Sequence, residues 1–381
     1  MNAGLSIKLN GYMKRIFILF LIAFTINSCS NDGPSGPNPD DFDRKAILIN
    51  WADNIIIPAF TELGRTTSSL HISAQNFSND PTLQNFEVLR NNWKTAYLAF
   101  QHVSMFEMGK SMELRYRDNL NIYPTDVSEI EENIETGNYN LELPSLNNSQ
   151  GFPALDYLLN GLGDNEDQVI SYYTTNSNAE SYKTYLTDLT SRIDNMTIQV
   201  LEHWQSSFRD EFINNSGNGA NSSLDMMVND YIYYYEKHLR AGKVGIPAGV
   251  FSGTPLSTHT EAYYSDDLSK SLLKESLIAT QNFFNGIHFQ SNEDGQSLDE
   301  YLDYLNTIKD GADLTTIINE QFDAAESVIE GLNGNFAEQV ESDNSLMLAS
   351  YDELQKNVVN LKVDMLQALN VNVDYVDADG D

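Results

Sequence analysis

Apolar side chains recur every three or four residues through most of this 381-residue chain, and this spacing restricts its fold more than any other feature. The clearest run follows Asp80-Pro81, where a helix cap precedes a proline suited to a first helical turn. Its apolar residues are Leu83, Phe86, Leu89, Trp93, Tyr97 and Phe100. They share one face of a helix, so the pattern predicts a helix that continues to about Met108.

Comparable spacing elsewhere predicts an all-α protein. Further helices are predicted over Asp43–Gln75 with a kink at Pro58, Asp164–Tyr173, Glu180–Phe212, Ser223–Arg240, Asp267–Phe284, Leu298–Ile308, Asp313–Leu332 and Ser345–Leu369. Gly242 and the break at Gly245–Gly249 are expected to end the helix before them. Strand signals are sparse and no internal repeat indicates a solenoid, so antiparallel helical bundles fit the pattern.

Two segments lack helical spacing. Asn214–Asn221 is rich in glycine and asparagine, and it is the predicted boundary between two helical-bundle domains, residues 43–214 and 215–381. Residues 109–150 are predicted to form a long irregular connection with one short helix near Val127–Ile134. Connections of this length are usually functional or form interfaces.

The N-terminus has the pattern of a bacterial lipoprotein signal. A basic pair precedes the apolar run Ile16–Ile26, which is too short to span a membrane, and Cys29 follows a small residue. The pattern predicts a signal peptide over residues 1–28, lipidation of Cys29 and a flexible tether over residues 29–42. It indicates an outer-membrane lipoprotein of the bacterial envelope, anchored by lipid at Cys29, and leaves open whether the protein faces the periplasm or the cell surface.

The charge balance excludes some partners. The chain has 22 Lys and Arg residues against 55 Asp and Glu residues, a formal net charge of −33. Nucleic acids are bound through lysine and arginine contacts to phosphates, so nucleic acid is not an expected partner. The same charge disfavours docking of the protein surface on anionic lipid, and it can attract cations.

An acidic residue lies in an unusual place within Gly151–Gly161. Pro153 is suited to the first turn of a helix, and the three leucines that follow share one apolar helical face. Asp156 lies about one turn after Pro153. The stretch therefore predicts a short buried helix that carries a carboxylate.

This stretch resembles the Gly-x-His-x-x-Glu motif of the imelysin family, which is also called peptidase M75. Gly151 matches the glycine, Pro153 stands where the histidine would be, and Asp156 stands where the glutamate would be. Two later segments are also similar to family motifs. Lys243 lies in a segment that resembles Lys-x-Gly-x-Pro, and the segment from Glu261 to Ser265 resembles Glu-x-x-Tyr-Ser.

The C-terminal residues are similar to the tail of imelysin-like lipoproteins from Bacteroides-type bacteria. The resemblance as a whole covers most of Arg44–Asp381. It implies two helical bundles whose motifs meet at a functional seam between them. The candidate ligand-binding residues at this seam are Gly151, Pro153, Asp156, Lys243, Glu261, Tyr264, His259, Glu107 and Asp126.

Asp156 has two interpretations. As a ligand it would face the seam with Lys243, Glu261 and a second acid, and it could help to hold a metal ion, for which iron is the ion implied by the resemblance. As a structural residue it would accept hydrogen bonds from backbone donors or pair with Lys243. The residues alone leave both interpretations open.

A metallopeptidase site lacks its usual ligands in this chain. No histidine has a second histidine within a few residues, and Pro153 has no side-chain atom that could bind zinc. Serine and cysteine nucleophile motifs are also missing. Among the histidines, His259 near Glu261 is the best candidate ligand, whereas His238 and the tyrosines beside it are expected to pack in the core.

The acidic C-terminus offers a second place for a cation. Asp377, Asp379 and Asp381 lie around a glycine in a pattern similar to the start of a calcium-binding loop. The distal glutamate of such a loop is missing, so a frayed acidic tail is the alternative.

These observations favour an imelysin-like envelope lipoprotein that binds a ligand without being an enzyme. The resemblance implies a role in iron uptake, together with iron-uptake or other envelope transport components as partners. The alternatives are an atypical metallopeptidase that uses Asp156 and His259 as ligands, and a structural or partner-binding surface lipoprotein.

Overall fold

The computed structural model of the protein describes residues 41–374. The predicted signal peptide, the lipidation site Cys29 and most of the tether lie outside the described residues. The same holds for the acidic tail with Asp377, Asp379 and Asp381. Predictions made for these segments therefore stay predictions.

The described chain is mostly helical and has only two short strands, which confirms the all-α prediction. The helices of its first part are α1 (Arg44–Asn50), α2 (Ile57–Asn79), α3 (Leu83–Gln101), α4 (Lys110–Leu114), α5 (Tyr116–Leu120), α6 (Val127–Thr136), α7 (Gly151–Asp156), α8 (Glu166–Thr174), α9 (Ala179–His203) and α10 (Arg209–Asn214). Those of its second part are α11 (Ser223–Tyr233), α12 (Ser269–Phe284), α13 (Leu298–Tyr304), α14 (Leu314–Ile329), α15 (Phe336–Val359) and α16 (Leu366–Leu369). The described strands, β1 (Ile308–Lys309) and β2 (Ala312–Asp313), form one short antiparallel hairpin in which Ile308 lies opposite Asp313.

Several helices are extended by wide π-helical turns, and short 3₁₀ turns also occur. The π-helical segments are Trp51–Ile56, Tyr157–Gly161, Trp204–Phe208, Tyr234–Gly245 and Asn360–Met365, and the 3₁₀ turns are Pro144–Ser149 and Ser257–His259. A π-helical turn contains an extra residue, which redirects the side chains that follow it and is frequent at functional sites. Tyr157–Gly161 directly follows α7, the helix predicted from the motif, and Tyr234–Gly245 directly follows α11.

The long helix α2 packs against both α3 and α9, and these three helices form one group. Helices α14 and α15 pack together, and Tyr234–Gly245 lies against α15. Helix α12 contacts both α3 and α14, so it joins these two groups of helices. The motif segments are held where these groups meet.

The described residues from Asp43 onward form one compact unit. Helix α1 packs against α10, which precedes the predicted boundary at 214/215, and against α11, which follows it. These contacts join the two parts of the chain. Trp51, the residue after α1, donates a hydrogen bond of 2.8 Å from its indole nitrogen to the hydroxyl of Ser297. The division into two bundle domains at 214/215 stays a prediction.

Three local expectations differ from the structure. Gly242 does not end the helix before it, because the chain continues as a π-helix to Gly245. Helix α3 ends at Gln101 and does not continue to about Met108. Pro58 lies at the start of α2, directly after the π-helical segment Trp51–Ile56, and the kink there stays a prediction. Helix α13 ends at Tyr304 because Asn306 adopts a positive φ of 52° and the β1–β2 hairpin follows. None of the described helices combines the length and the apolar character that crossing a membrane requires.

Candidate functional site

Helix α7 begins at a sharp and crowded turn. Gly151 has a φ of 76°, and a Cβ atom added to it would lie 2.2 Å from the carbonyl oxygen of Leu120. Only glycine meets both conditions, which explains the residue at this position. Pro153 is buried in the first helical turn, as expected, and Trp93 donates to the carbonyl of Phe152 at 3.2 Å.

Asp156 is buried at the end of α7, and both of its carboxylate oxygens accept hydrogen bonds. Oδ2 accepts from the backbone N–H of Tyr264 at 2.8 Å, and Oδ1 accepts from the side-chain amide of Asn160 at 3.0 Å. Burial raises the pKa of Asp156 to about 7, while these two hydrogen bonds act in the opposite direction. The carboxylate therefore fixes the Tyr264 segment onto α7, which favours the structural interpretation of this residue.

Lys243 and Glu261 form a buried ion pair. Their side chains are only 3% and 2% exposed, and the ammonium group of Lys243 donates to Oε2 of Glu261. The same ammonium group donates to Oε1 of Gln101 at 2.8 Å, and that oxygen also accepts from the hydroxyl of Ser276 at 2.8 Å. Residues from the π-helix, the Glu261 segment, α3 and α12 are thus joined in one polar network.

The network continues into the long connection between α3 and α7. Asn121 donates to Oε1 of Glu261 at 2.7 Å, and the hydroxyl of Tyr97 donates to the side-chain oxygen of Asn121 at 2.6 Å. Burial raises the pKa of Tyr97 well above its ordinary value, and the nearby carboxylates of Glu261 and Asp156 act in the same direction. Tyr97 is therefore a neutral hydrogen-bond donor at physiological pH.

Two cavities adjoin this network and share Tyr123. The larger has a volume of about 260 Å³, and the smaller has a volume of about 140 Å³. The larger is lined by Ser104, Arg117, Asn121, Ile122, Tyr123, Tyr234, Lys237, His238, Gly242, Lys243, Ile246 and His259. The smaller is lined by Tyr123, Pro124, Thr125, Pro153, Asp156, Thr258, Thr260, Ala262, Tyr263 and Tyr264.

The structure brings together most of the predicted site residues. Pro153, Asp156 and Tyr264 line the smaller cavity, and Lys243 and His259 line the larger one. Glu261 is buried against Lys243, and Gly151 begins the helix that carries Asp156. These residues come from three distant stretches of the chain, and the seam between two domains stays a prediction.

Glu107 and Asp126 do not contact Asp156. Glu107 accepts from the backbone N–H of Arg117 at 3.2 Å, and burial raises its pKa to about 7 although the charge of Arg117 opposes the shift. Asp126 caps helix α6 by accepting from the backbone N–H of Glu129 at 3.0 Å. The pairing of Asp156 with Lys243 is also not found, because Lys243 pairs with Glu261.

Sequence reasoning missed several residues of the site. Gln101, Asn121 and Tyr97 connect to the ion pair, and Arg117 lines the larger cavity. The one available signal was the length of the connection over residues 109–150, which indicated a functional role and supplies two of these residues. Tyr234 and His238 were expected to be core residues. Tyr234 is indeed buried, yet both line the larger cavity, and their rings stack with centroids 6.0 Å apart.

A third and more open groove, of about 620 Å³, lies away from these residues. It includes Arg192, which donates to the side-chain oxygens of Gln150 at 2.6 Å and of Asn119 at 2.9 Å. None of the predicted site residues lines it. Its connection to the motif is indirect, through Gln150 immediately before α7.

The described residues do not supply a complete set of metal ligands. Within residues 41–374, no group of three or more His, Cys, Asp or Glu side chains is arranged to hold a metal ion. Asp156 and His259, the proposed ligand pair of a metallopeptidase, line different cavities. The residues present therefore do not fit a protein-bound metal at Asp156, and metal binding there stays a prediction.

The fold and the site define an all-α protein in which two small cavities adjoin a buried ion-pair network. The sequence model of the imelysin family, peptidase M75, matches residues 56–363 of this chain, and the chain belongs to that family. A search of curated proteins gave no match.

Two solved structures are similar in fold. One, described as an iron-regulated protein A precursor from Parabacteroides distasonis, has a TM-score of 0.71 at 16% identity, over 87% of this chain and 96% of the other. The other is an imelysin-like protein from Psychrobacter arcticum with a TM-score of 0.67 at 15% identity, over 87% of this chain and 97% of the other.

Proposed function

We propose that this protein is a non-enzymatic, ligand-binding lipoprotein of the bacterial envelope that takes part in iron uptake. It is anchored to the outer membrane through lipid on Cys29 and delivers its ligand to iron-uptake or other envelope transport components. The observation that carries the proposal is the pair of adjoining cavities walled by all three motif segments.

The chemistry of the walls supports binding over catalysis. Lys243 and Glu261 neutralise each other, and the Asp156 carboxylate is occupied by Tyr264 and Asn160. These groups fix the shape of the site, whereas a hydrolase needs a nucleophile or a metal-bound water together with a base. The iron link rests on family membership and on the description of the Parabacteroides distasonis protein as iron-regulated.

The test is a set of calorimetric titrations of the full chain in detergent, with ferrous ion, ferric citrate and haem, alongside peptidase assays. We expect saturable binding of an iron-containing ligand, no peptide hydrolysis, and weaker binding in the variant Asp156→Asn, because its single acceptor oxygen cannot hold both Tyr264 and Asn160 as the carboxylate does. Asp267→Asn, at an exposed carboxylate that pairs with Lys94, is the matched control and should bind as the parent does. Chelator-sensitive hydrolysis of peptides would instead identify a metallopeptidase, and an absence of binding to all three ligands would refute the proposal.

A further inference from the structure

The larger cavity has a charge that contrasts with the rest of the protein. Acidic residues outnumber basic ones by 55 to 22 in the chain, yet no carboxylate lines this cavity among the described residues. Three basic side chains, those of Arg117, Lys237 and Lys243, do line it. A lining whose described side chains include three basic and no acidic ones, in a chain with more than twice as many acidic as basic residues, indicates a preference for negative ligands.

Carboxylates that do not line the cavity hold these basic groups in place. Asp230 accepts from Arg117 at 3.0 Å, and Glu236 lies 2.8 Å from the ammonium group of Lys237. Burial raises the pKa of Asp230, and burial likewise raises that of Glu107, the second acid beside Arg117, to about 7. Glu107 is thus partly neutral near pH 7, and in each of these pairs the basic member is the one that lines the cavity.

Tyr234 supplies a second and independent observation. Its side chain is 2% exposed, it lines the cavity, and its hydroxyl has no hydrogen-bond partner among the described residues. A buried hydroxyl without a partner is unfavourable in a folded protein and calls for a ligand or water. A hydroxyl donates well to an oxyanion, which matches the charge of the cavity.

The remaining lining narrows the class of anion. Ile122, Ile246 and the ring of Tyr123 provide apolar surface beside the basic groups. A volume of about 260 Å³ exceeds what a single inorganic anion needs, and apolar walls favour an organic skeleton. A bare cation would meet three positive side chains and no carboxylate among the described residues of this lining.

We propose that the larger cavity binds a small organic anion with two or more carboxylate groups. Tyr234, Arg117, Lys237 and Lys243 contact the carboxylates, and Ile122 and Ile246 contact the skeleton. This inference deepens the proposed function, on which it rests, because iron would enter the site as a complex with such an anion instead of as a bare cation.

The experiment uses the full chain in detergent and calorimetric titration with citrate, ferric citrate, inorganic phosphate and ferrous ion. Citrate and ferric citrate are expected to bind more tightly than phosphate, and ferrous ion is not expected to bind in this cavity. Tyr234→Phe should weaken citrate binding roughly tenfold, since one hydrogen bond to a charged group is lost. Its folding should be unimpaired because the hydroxyl has no hydrogen-bond partner within residues 41–374. Tyr172→Phe, at a tyrosine that does not line the cavity, is the matched control and should leave the affinity unchanged.

A second variant tests the sign of the charge. Ile246 lines the cavity and is 38% exposed, so Ile246→Glu can fold while it adds a negative charge to the lining. It is expected to weaken citrate binding at least tenfold at low salt, and added salt should reduce the affinity of the parent chain.

Each other outcome has a distinct meaning. Ferrous ion binding without citrate binding, or tighter metal binding in Ile246→Glu, would overturn the anion proposal and leave the iron-related function standing. Phosphate binding as tight as that of citrate would overturn the organic class. Citrate binding that Tyr234→Phe leaves unchanged would overturn this location. A chain that binds neither citrate nor any iron species would refute both the inference and the proposed function.

Discussion

Lys243 and Glu261 form an ion pair that is almost entirely shielded from water. Removing one partner leaves the other as an uncompensated buried charge, so Lys243→Met should reduce the free energy of unfolding by about 3–5 kcal/mol. The matched control is Lys356→Met, because Lys356 pairs with Glu353 on the surface and is mostly exposed. The control should lose less than about 1 kcal/mol. Urea unfolding of both variants measures the difference, and equal losses would contradict the burial of the pair.

Asp156 should make stability depend on pH in an unusual direction. Its pKa is raised by burial to about 7 in the folded protein, against about 4 in an unfolded chain. Between these values the folded state holds a proton that the unfolded state has lost, so stability falls as pH rises. The penalty above pH 7 is on the order of a few kcal/mol.

The variant Asp156→Asn cannot ionise and should lose this part of the pH dependence. Urea unfolding at pH 5 and pH 8 would show a smaller decrease for the variant than for the parent chain. A decrease remains because Glu107, whose pKa is also raised to about 7, acts in the same direction. Identical decreases in the two proteins would show that Asp156 does not titrate as described.

The sequence indicated single site residues better than their partners. Asp156, Lys243 and Glu261 were found from their motifs, and their burial follows from the apolar residues around them. The partner of Lys243 was not found, because Glu261 and Gln101 reach it from other segments through tertiary packing. For the same reason the sequence did not indicate that Glu107 contacts Arg117 or that Asp126 caps α6.

The turn into α7 should be the least tolerant point of the motif segment. Gly151→Ala would combine a left-handed backbone with a Cβ atom 2.2 Å from the carbonyl of Leu120, and we expect a loss of about 2–5 kcal/mol. Gly137 also has a positive φ but open space around it, so Gly137→Ala should cost roughly 1 kcal/mol. Gly217 has neither constraint, and Gly217→Ala should change stability by less than about 0.5 kcal/mol. Thermal or urea unfolding gives the order of the three, and a Gly151→Ala variant as stable as Gly217→Ala would contradict the described turn.

Helices were predicted well and their irregularities were not. Apolar spacing located α3 and α9 because their buried faces are long and regular. The π-helical segments escaped prediction because they are only five to twelve residues long, too short for their own spacing to be distinguished from that of an α-helix. The end predicted at Gly242 is wrong because Lys243 and Val244 are buried and the chain stays helical.

The compact unit from Asp43 onward should unfold in one step. All three tryptophans, Trp51, Trp93 and Trp204, precede the predicted boundary at 214/215, so fluorescence reports mainly the first part of the chain. Trp51 also senses its contact with Ser297 of the second part. Circular dichroism reports the helices of both parts. Because α1 packs against α10 and α11, we expect coincident midpoints in urea. Separate midpoints would instead demonstrate two independent bundles.

The net charge of −33 is the sum over all residues of the chain and can be calculated from the sequence alone. The local reversal of charge in the larger cavity was not, because its basic residues come from separate segments of the chain. Composition therefore yields a prediction about macromolecular partners. Only the packing locates the cavity that we propose for a small anion.

The π-helical segment Tyr234–Gly245 also bears on how this family can diverge. It carries Tyr234, His238 and Lys243 into a single cavity, and their alignment depends on the number of residues between them. Loss of one residue would rotate those that follow by about 100° and remove Lys243 from Glu261. Substitutions can therefore accumulate in this segment over evolution while insertions and deletions are purged. Relatives that keep the ion pair are expected to align through it without a gap.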